Sequence, residues 1–305
     1  MNNDYLNKSQ AEYKESLEKN QTAQLKRPEW LRVKAPVGNN YDFLQEMMHR
    51  QKLNTVCEEA DCPNIAECWG HRTATFMILG DTCTRSCGFC AVKVGRPNEL
   101  DLQEPRRVAD AVRELNLRHV VITSVDRDDL ADGGATIFSG TVKEIRKIMP
   151  DTTIEILIPD FKGDEESFEI IIQNPPDILN HNLETVPRLY PYVRPQAKYE
   201  RSLELLLWFK NHNLRTKSGI MVGIGEQPDE VLALMHDLIE YKCDILTIGQ
   251  YLQPTKQHLP IDRYVTPDEF KMYKDEGLKM GFKFVESGPL VRSSYNADAQ
   301  AREIL

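Results

Sequence analysis

Three cysteines stand within eight residues, 83-CTRSCGFC-90, between an apolar run and a basic, glycine-containing segment. Thiolates are soft ligands that suit zinc or an iron–sulfur cluster. A structural zinc site is closed by four ligands, commonly as paired C-x2-C knuckles. Here the first spacing is C-x3-C, and no second knuckle follows nearby. A cubane cluster held by Cys83, Cys87 and Cys90 leaves one iron open to a small molecule, as catalytic zinc keeps one position for substrate. A second group, Cys57, Cys62 and Cys68, lies just upstream in 57-CEEADCPNIAEC-68. The seventh cysteine, Cys243, opens an apolar run and reads as a buried small hydrophobe.

Six grouped cysteines in a reducing compartment point to metal or redox chemistry more than to disulfides. The chain around them has 305 residues, 41% hydrophobic and 28% charged. That length fits one large α/β domain with extensions, or two medium domains. There is no apolar run long enough for a transmembrane helix, and the polar N-terminus lacks a secretory core. No membrane partner and a cytoplasmic location are therefore expected. A net charge of −9 argues against broad electrostatic capture of nucleic acid. Residues 1 to about 25 read as a polar helix without a strong apolar face.

From about residue 73 onward, short β-branched runs alternate with amphipathic helices. The expected strands are 75–79, 119–123, 153–158, 177–182, 219–223, 245–249 and 282–286, continuous apolar runs suited to a sheet covered by helices. Val108, Ala111, Val112 and Leu115 form one helical stripe, and Val231, Leu234, Met235 and Leu238 another. Successive β-α units build a parallel sheet with right-handed crossovers. An open doubly wound sheet and a barrel both satisfy this. The regular procession favours a partial (β/α) TIM-like barrel of about six units. An N-terminal extension, 1–72, carries the upstream cysteines, the barrel spans 73–280, and a C-terminal extension covers 281–305. Barrel chemistry sits at the C-terminal ends of the strands. There the sequence places Cys83 to Cys90, 124-SVDRDD-129, 183-LET-185 and 223-GIGEQPD-229.

With Phe89 as its aromatic, C-x3-C-x-aromatic-C resembles the signature of the radical S-adenosylmethionine superfamily. The resemblance implies a [4Fe-4S] cluster on Cys83, Cys87 and Cys90, with the open iron chelated by the amino and carboxylate groups of S-adenosylmethionine. Reductive cleavage would then yield a 5′-deoxyadenosyl radical that abstracts hydrogen. Gly219-x-Met221-x-Gly223-x-x-Glu226 resembles the superfamily's glycine-rich strand along the adenine, although glycines at a strand end also simply permit turns. Ser124, Asp126 and Arg127 follow the second strand, where the superfamily binds the methionine amino group. Asn182 and Glu184 follow the fourth, within reach of the ribose hydroxyls. Each also fits a solvated loop or a helix cap.

The segment 57-CEEADCPNIAEC-68, with 28-PEWLRVK-34 and 289-PLVRSSYNA-297, resembles the lipoyl synthase family, from about residue 28 to the C-terminus. That resemblance implies an auxiliary [4Fe-4S] cluster on Cys57, Cys62 and Cys68, with the Ser294 hydroxyl as fourth ligand. A hard oxygen on a soft cluster is the easier bond to break, which suits a cluster that gives up sulfur. The implied reaction inserts two sulfur atoms at C6 and C8 of an octanoyl chain amide-linked to a lysine. Implied partners are an octanoylated lipoyl carrier domain or H protein, a reductant such as ferredoxin or flavodoxin, and iron–sulfur assembly proteins. The rival readings are another radical sulfur-inserting enzyme, a non-catalytic iron–sulfur carrier, and a zinc-binding interaction protein. His71, His119, His181 and His258 form no metal spacing.

Overall fold

The computed structural model describes residues 6–20, 26–32, 45–48, 50–51, 53–56, 64–65, 75–295 and 297–304. Cys57, Cys62 and Cys68 lie outside the described residues, as does His71. The main sheet has eight strands: β1 (Asn54–Thr55), β2 (Thr75–Ile78), β5 (His119–Ser124), β6 (Thr153–Leu157), β7 (Ile178–Asn180), β8 (Arg215–Val222), β9 (Ile245–Gln250) and β10 (Phe284–Gly288). They pair in that order, β1 antiparallel to β2 and the rest parallel. The order is linear, with β1 and β10 at its ends, so the barrel is partial. The intervening pair β3 (Thr82–Cys83) and β4 (Lys93–Val94) stands apart and frames the cysteine loop.

The covering helices follow the apolar stripes. In α2 (Glu104–Leu115), Val108, Ala111, Val112 and Leu115 are buried, and left-handed Asn116 closes the end. It packs beside α3 (Ala135–Ile148), which precedes α4 (Glu165–Ile172). After β7 come the short α5 (Tyr190–Val193) and then α6 (Tyr199–Asn211). Next, α7 (Pro228–Glu240) starts on a proline behind a reciprocal Gln227–Glu230 capping box, and α8 (Pro267–Met280) starts on Pro267 with Thr266 as cap. Their buried faces form one core with the outward faces of the strands. Cys243 is part of that core.

Strand β8 begins at Arg215, four residues before its apolar signal at Gly219. Thr216, Lys217 and Ser218 are all fully buried. Lys217 points into the lumen, where Nζ lies 2.9 and 3.0 Å from the two Glu155 carboxylate oxygens. Asn180 Nδ2 donates to the same carboxylate at 2.9 Å. A charged pair buried this way needs partners on every side, and its polar letters mask the strand.

Both ends of the chain engage the barrel. Helix α1 (Lys8–Asn20) is docked, not merely solvated: Gln10 and Leu17 are buried, and the Tyr13 ring stacks on Tyr192 at 4.6 Å. Helix α9 (Ala297–Ile304) lies at the other end, with Ala301 against Ile178 and Ile245. In register, Ile245 pairs with Lys217, and Ile178 with Glu155. All four share the inward face, so α9 fills the floor of the lumen. No helix of the described residues is long and apolar enough to cross a membrane.

Candidate active site at the barrel mouth

The cysteine loop follows β2 and is held by neighbours on several elements. Thr84 Oγ1 donates to the Asp126 carbonyl at 2.9 Å and accepts from the Asp128 N–H at 3.0 Å, tying the loop to the turn after β5. Gly88 N–H donates to Val193 of α5 at 2.8 Å, and Leu259 N–H donates to the Gly88 carbonyl at 3.0 Å. His258 Nε2–H donates to the Cys90 carbonyl at 3.0 Å. From α1, Gln10 Nε2 donates to the Ser86 carbonyl at 3.0 Å.

Under the loop lies a charge network. Arg85 is 4% exposed. It donates to Asp128 at 2.8 and 2.9 Å and to Asp160 at 2.6 Å, and Asp126 lies 3.3 Å away. Arg201 reaches the second Asp160 oxygen at 3.0 Å. Burial alone would raise the Asp160 carboxyl; the Arg85 charge and hydrogen bonds instead hold it well below its ordinary range. Burial works against the Arg85 charge too, and its acidic partners keep it firmly protonated. The neighbouring His181, bonded to Ile158 and Ser202, is pushed down to about 4 by burial and by Arg194.

None of the three thiols is in a disulfide. Burial pushes Cys83 up to about 12, with the Asp126 charge adding to it, and Cys90 up to about 11. Cys87 is raised by burial against the opposing charge of Arg194. Cys83 Sγ accepts N–H bonds from Asp126 at 3.3 Å and Arg85 at 3.4 Å. Donors aimed at a sulfur stabilise its thiolate, and metal binding must displace the proton. Among the described residues no three His, Cys, Asp or Glu side chains converge on a single ion. The thiolates of a cluster bind separate irons, so a cluster does not require convergence on a single ion.

Among the buried polar atoms on this rim without a hydrogen-bond partner are Ser124 Oγ at the end of β5 and Asn182 Oδ1 just after β7. Such atoms call for a ligand or water with matching groups. Together with the thiol loop, they fit an amino acid-bearing nucleotide bound beside a cluster. Glu184 sits in the same region with φ +66°, its carboxyl raised by burial against the Arg194 charge. Arg194 donates to the Asn182 carbonyl at 2.5 Å.

Other residues expected at the site are turned into their own loops. Arg127 is engaged by Asp129 and by the Leu79 and Asn98 carbonyls. The Glu226 carboxylate accepts from the Gly223 and Ile224 N–H groups at 2.6 and 3.0 Å. Tyr13 of α1 reaches the same loop, donating to the Ile224 carbonyl at 2.8 Å. Ser294 lies in the half-exposed turn before α9. Within the upstream cysteine segment, Asn64 is described. Its Nδ2 donates to the Leu290 carbonyl at 2.6 Å, so that segment meets the one bearing Ser294.

Sequence reasoning passed over Arg85, Asp160, Arg194 and Gln10. Arg85 was visible as the charge inside C-x3-C, and Asp160 as an acid just past a strand end. Nothing local marks Arg194 or Gln10.

Residues 77–238 match the family model of the radical SAM superfamily, and residues 1–62 match that of the N-terminal domain of lipoyl synthase. A lipoyl synthase of Rubrobacter xylanophilus is 60% identical over 279 residues, 91% of this chain and 87% of that protein. A mitochondrial lipoyl synthase of Nematostella vectensis is 54% identical over 89% of this chain and 94% of that protein. Among solved structures, methylornithine synthase shares the fold at a TM-score of 0.54 and 13% identity, over 92% of this chain and 83% of the other. So does Streptococcus suis SuiB bound to S-adenosylmethionine, at 0.56 and 13%, over 74% and 54%.

Proposed function

The chain belongs to the lipoyl synthase family of the radical SAM superfamily, and on that premise we propose that it inserts sulfur at C6 and C8 of a lysine-bound octanoyl chain. The observation that carries this reading is 60% identity along 87% of a lipoyl synthase. Its cofactors are S-adenosylmethionine and [4Fe-4S] clusters. In this reading Cys83, Cys87 and Cys90 hold one cluster. Cys57, Cys62, Cys68 and the Ser294 hydroxyl hold the second, which donates the sulfur. Bound there, these groups supply a radical able to take hydrogen from an unactivated C–H bond, which acid–base chemistry cannot.

The protein's own residues bind and orient. Ser124 and Asp126 receive the methionine amino group, and Asn182 and Glu184 the ribose hydroxyls. Gly223, Glu226 and Arg127 act by shaping the loops that border the nucleotide. Arg85 fixes the cysteine loop on Asp128 and Asp160, so the thiolates stay in place while charge changes above them. Residues 1–72 bring the second cysteine set, 73–280 most of the barrel, and 281–305 its last strand, β10, and then the serine. The protein substrate is a lipoyl carrier domain or H protein. Electrons come from a small donor of the ferredoxin or flavodoxin class, and assembly proteins rebuild the donor cluster.

The test separates the two cysteine sets. A variant lacking Cys57, Cys62 and Cys68 is expected to cleave S-adenosylmethionine and release 5′-deoxyadenosine without making lipoyl product. If it still inserts both sulfurs, the donor role is wrong. A colourless protein carrying zinc and no iron after anaerobic purification would remove the cluster reading altogether.

A further inference from the structure

On the inward face of β8 and β9, Gly219 pairs with Thr247 and Met221 with Gly249; Gly249 pairs in turn with Gly288 of β10. The upper lumen is thus lined by glycines on three adjacent strands, and residues 291–293 enter the room they leave. A Cβ at Gly249 would stand 2.1 Å from the Val291 carbonyl oxygen and 3.3 Å from Arg292 Nη1. One at Gly219 would stand 2.6 Å from Thr247 Oγ1, 2.8 Å from Asn182 Oδ1 and 3.2 Å from Ser293 Oγ. Neither strand could carry even an alanine there without displacing a neighbour.

The segment is also fastened. Asn182 Nδ2 donates to Ser293 Oγ at 2.7 Å and to Glu184 at 3.0 Å. Below, Ala301 packs on Ile178 and Ile245, and Arg215 donates to the Ile304 carbonyl at 3.0 Å. Beside it, Asn64 of the upstream cysteine segment grips the Leu290 carbonyl. Ser294 therefore stands between a seat at the mouth and an anchor on the floor.

We propose that Gly219, Gly249, Asn182 and Ser293 form a seat whose purpose is to present Ser294 to the upstream cysteines. Ser293, the serine that is not the cluster ligand, is its latch. This rests on the reading of Ser294 as a ligand. Ser293 and Gly249 are positioning residues: neither touches the reacting atoms. The seat also links the two halves of the site. Asn182 joins the latch to Glu184 through its side chain, and its carbonyl is held by Arg194, which lies near Cys87.

The test uses anaerobically purified holoprotein carrying Ser293→Ala, Ser293→Thr or Gly249→Ala. Hydrogen exchange across residues 289–295 is expected to quicken about tenfold in Ser293→Ala, as the loss of one buried hydrogen bond implies. It should quicken further in Gly249→Ala. In both, iron falls from about eight toward about four per chain, and the Mössbauer signal of the oxygen-ligated iron fades, while 5′-deoxyadenosine is still formed. Ser293→Thr, which keeps the hydroxyl, restores both readouts. Unchanged exchange and unchanged iron in Ser293→Ala and Gly249→Ala would overturn the seat. Ser294→Ala tests the underlying reading separately. If that variant keeps its full iron, Ser294 is not a ligand and presenting it is not the seat's purpose, even where exchange still reports the latch.

Discussion

At the barrel mouth Arg85 faces Asp126, Asp128 and Asp160, whereas at the floor Lys217 faces Glu155 alone. Both cations are buried, and both are held by side chains from separate strands or their loops. The floor pair is matched charge for charge and sealed beneath α9. The mouth network draws in Arg201 and Lys162 as well, borders three thiols outside any disulfide, and leaves Ser124 Oγ without a partner. Burial of charge is therefore not what distinguishes the site. Partnerless polar atoms beside thiol sulfur do.

The largest effects come from removing either cation. Arg85→Ala and Lys217→Ala should each destabilise the fold by about 3–5 kcal/mol, because Glu155 is left without a cation and Asp160 keeps only Arg201. They should differ in metal: iron on the Cys83–Cys90 loop is lost with Arg85, whereas iron per folded chain is unchanged with Lys217. Equal iron loss in the two would erase the distinction between mouth and floor. Chemical denaturation and iron analysis on the same samples decide it.

Replacing the floor pair as a unit sharpens the contrast. The double variant Lys217→Met, Glu155→Leu should recover most of that stability, within about 1–2 kcal/mol of the parent, since a buried pair is often no better than apolar residues of similar size. A double variant that stays as unstable as Lys217→Ala would show the pair to be needed by its neighbours.

The mouth also carries the pH response. His181, pushed down to about 4 by burial and Arg194, stays neutral in the fold, whereas the unfolded chain takes up its proton near pH 6.5. Stability is thus fully present above about pH 6.5 and declines as pH falls toward 4, by about 3 kcal/mol in all. Comparing urea midpoints of the parent and His181→Gln from pH 7 to 4.5 isolates this part. Parallel curves would contradict it. Smaller still, Gln10→Ala should cost about 1 kcal/mol through the lost bond to Ser86, read as a modest drop in melting temperature.

The parallel barrel was legible because its outward strand faces and helix stripes are apolar, as in 119–123 and in Val108 to Leu115. The start of β8 was not. Its residues 215–218 are polar, and the partner Glu155, 62 residues from Lys217 in the chain, lets them be buried strand. The thiol loop announced itself through spacing. Its supports did not: Gln10, Arg194 and His258 come from remote elements, and no local pattern encodes a tertiary hydrogen bond. Gly219 read as part of a glycine-rich strand or a turn and Gly249 carried no signal of its own, whereas the fold uses both as room for the C-terminal segment.

The activity that defines the proposed function is the addition of sulfur to a carrier-bound fatty chain. Anaerobic incubation of the iron-loaded protein with S-adenosylmethionine, a low-potential reductant and an octanoyl-lysyl peptide tests it directly by mass spectrometry. The expected product is a peptide heavier by two sulfurs, the dithiol under these reducing conditions and two hydrogens lighter only after oxidation to the disulfide, with two 5′-deoxyadenosine molecules formed for each product. 5′-Deoxyadenosine formed beside an octanoyl peptide of unchanged mass would contradict it.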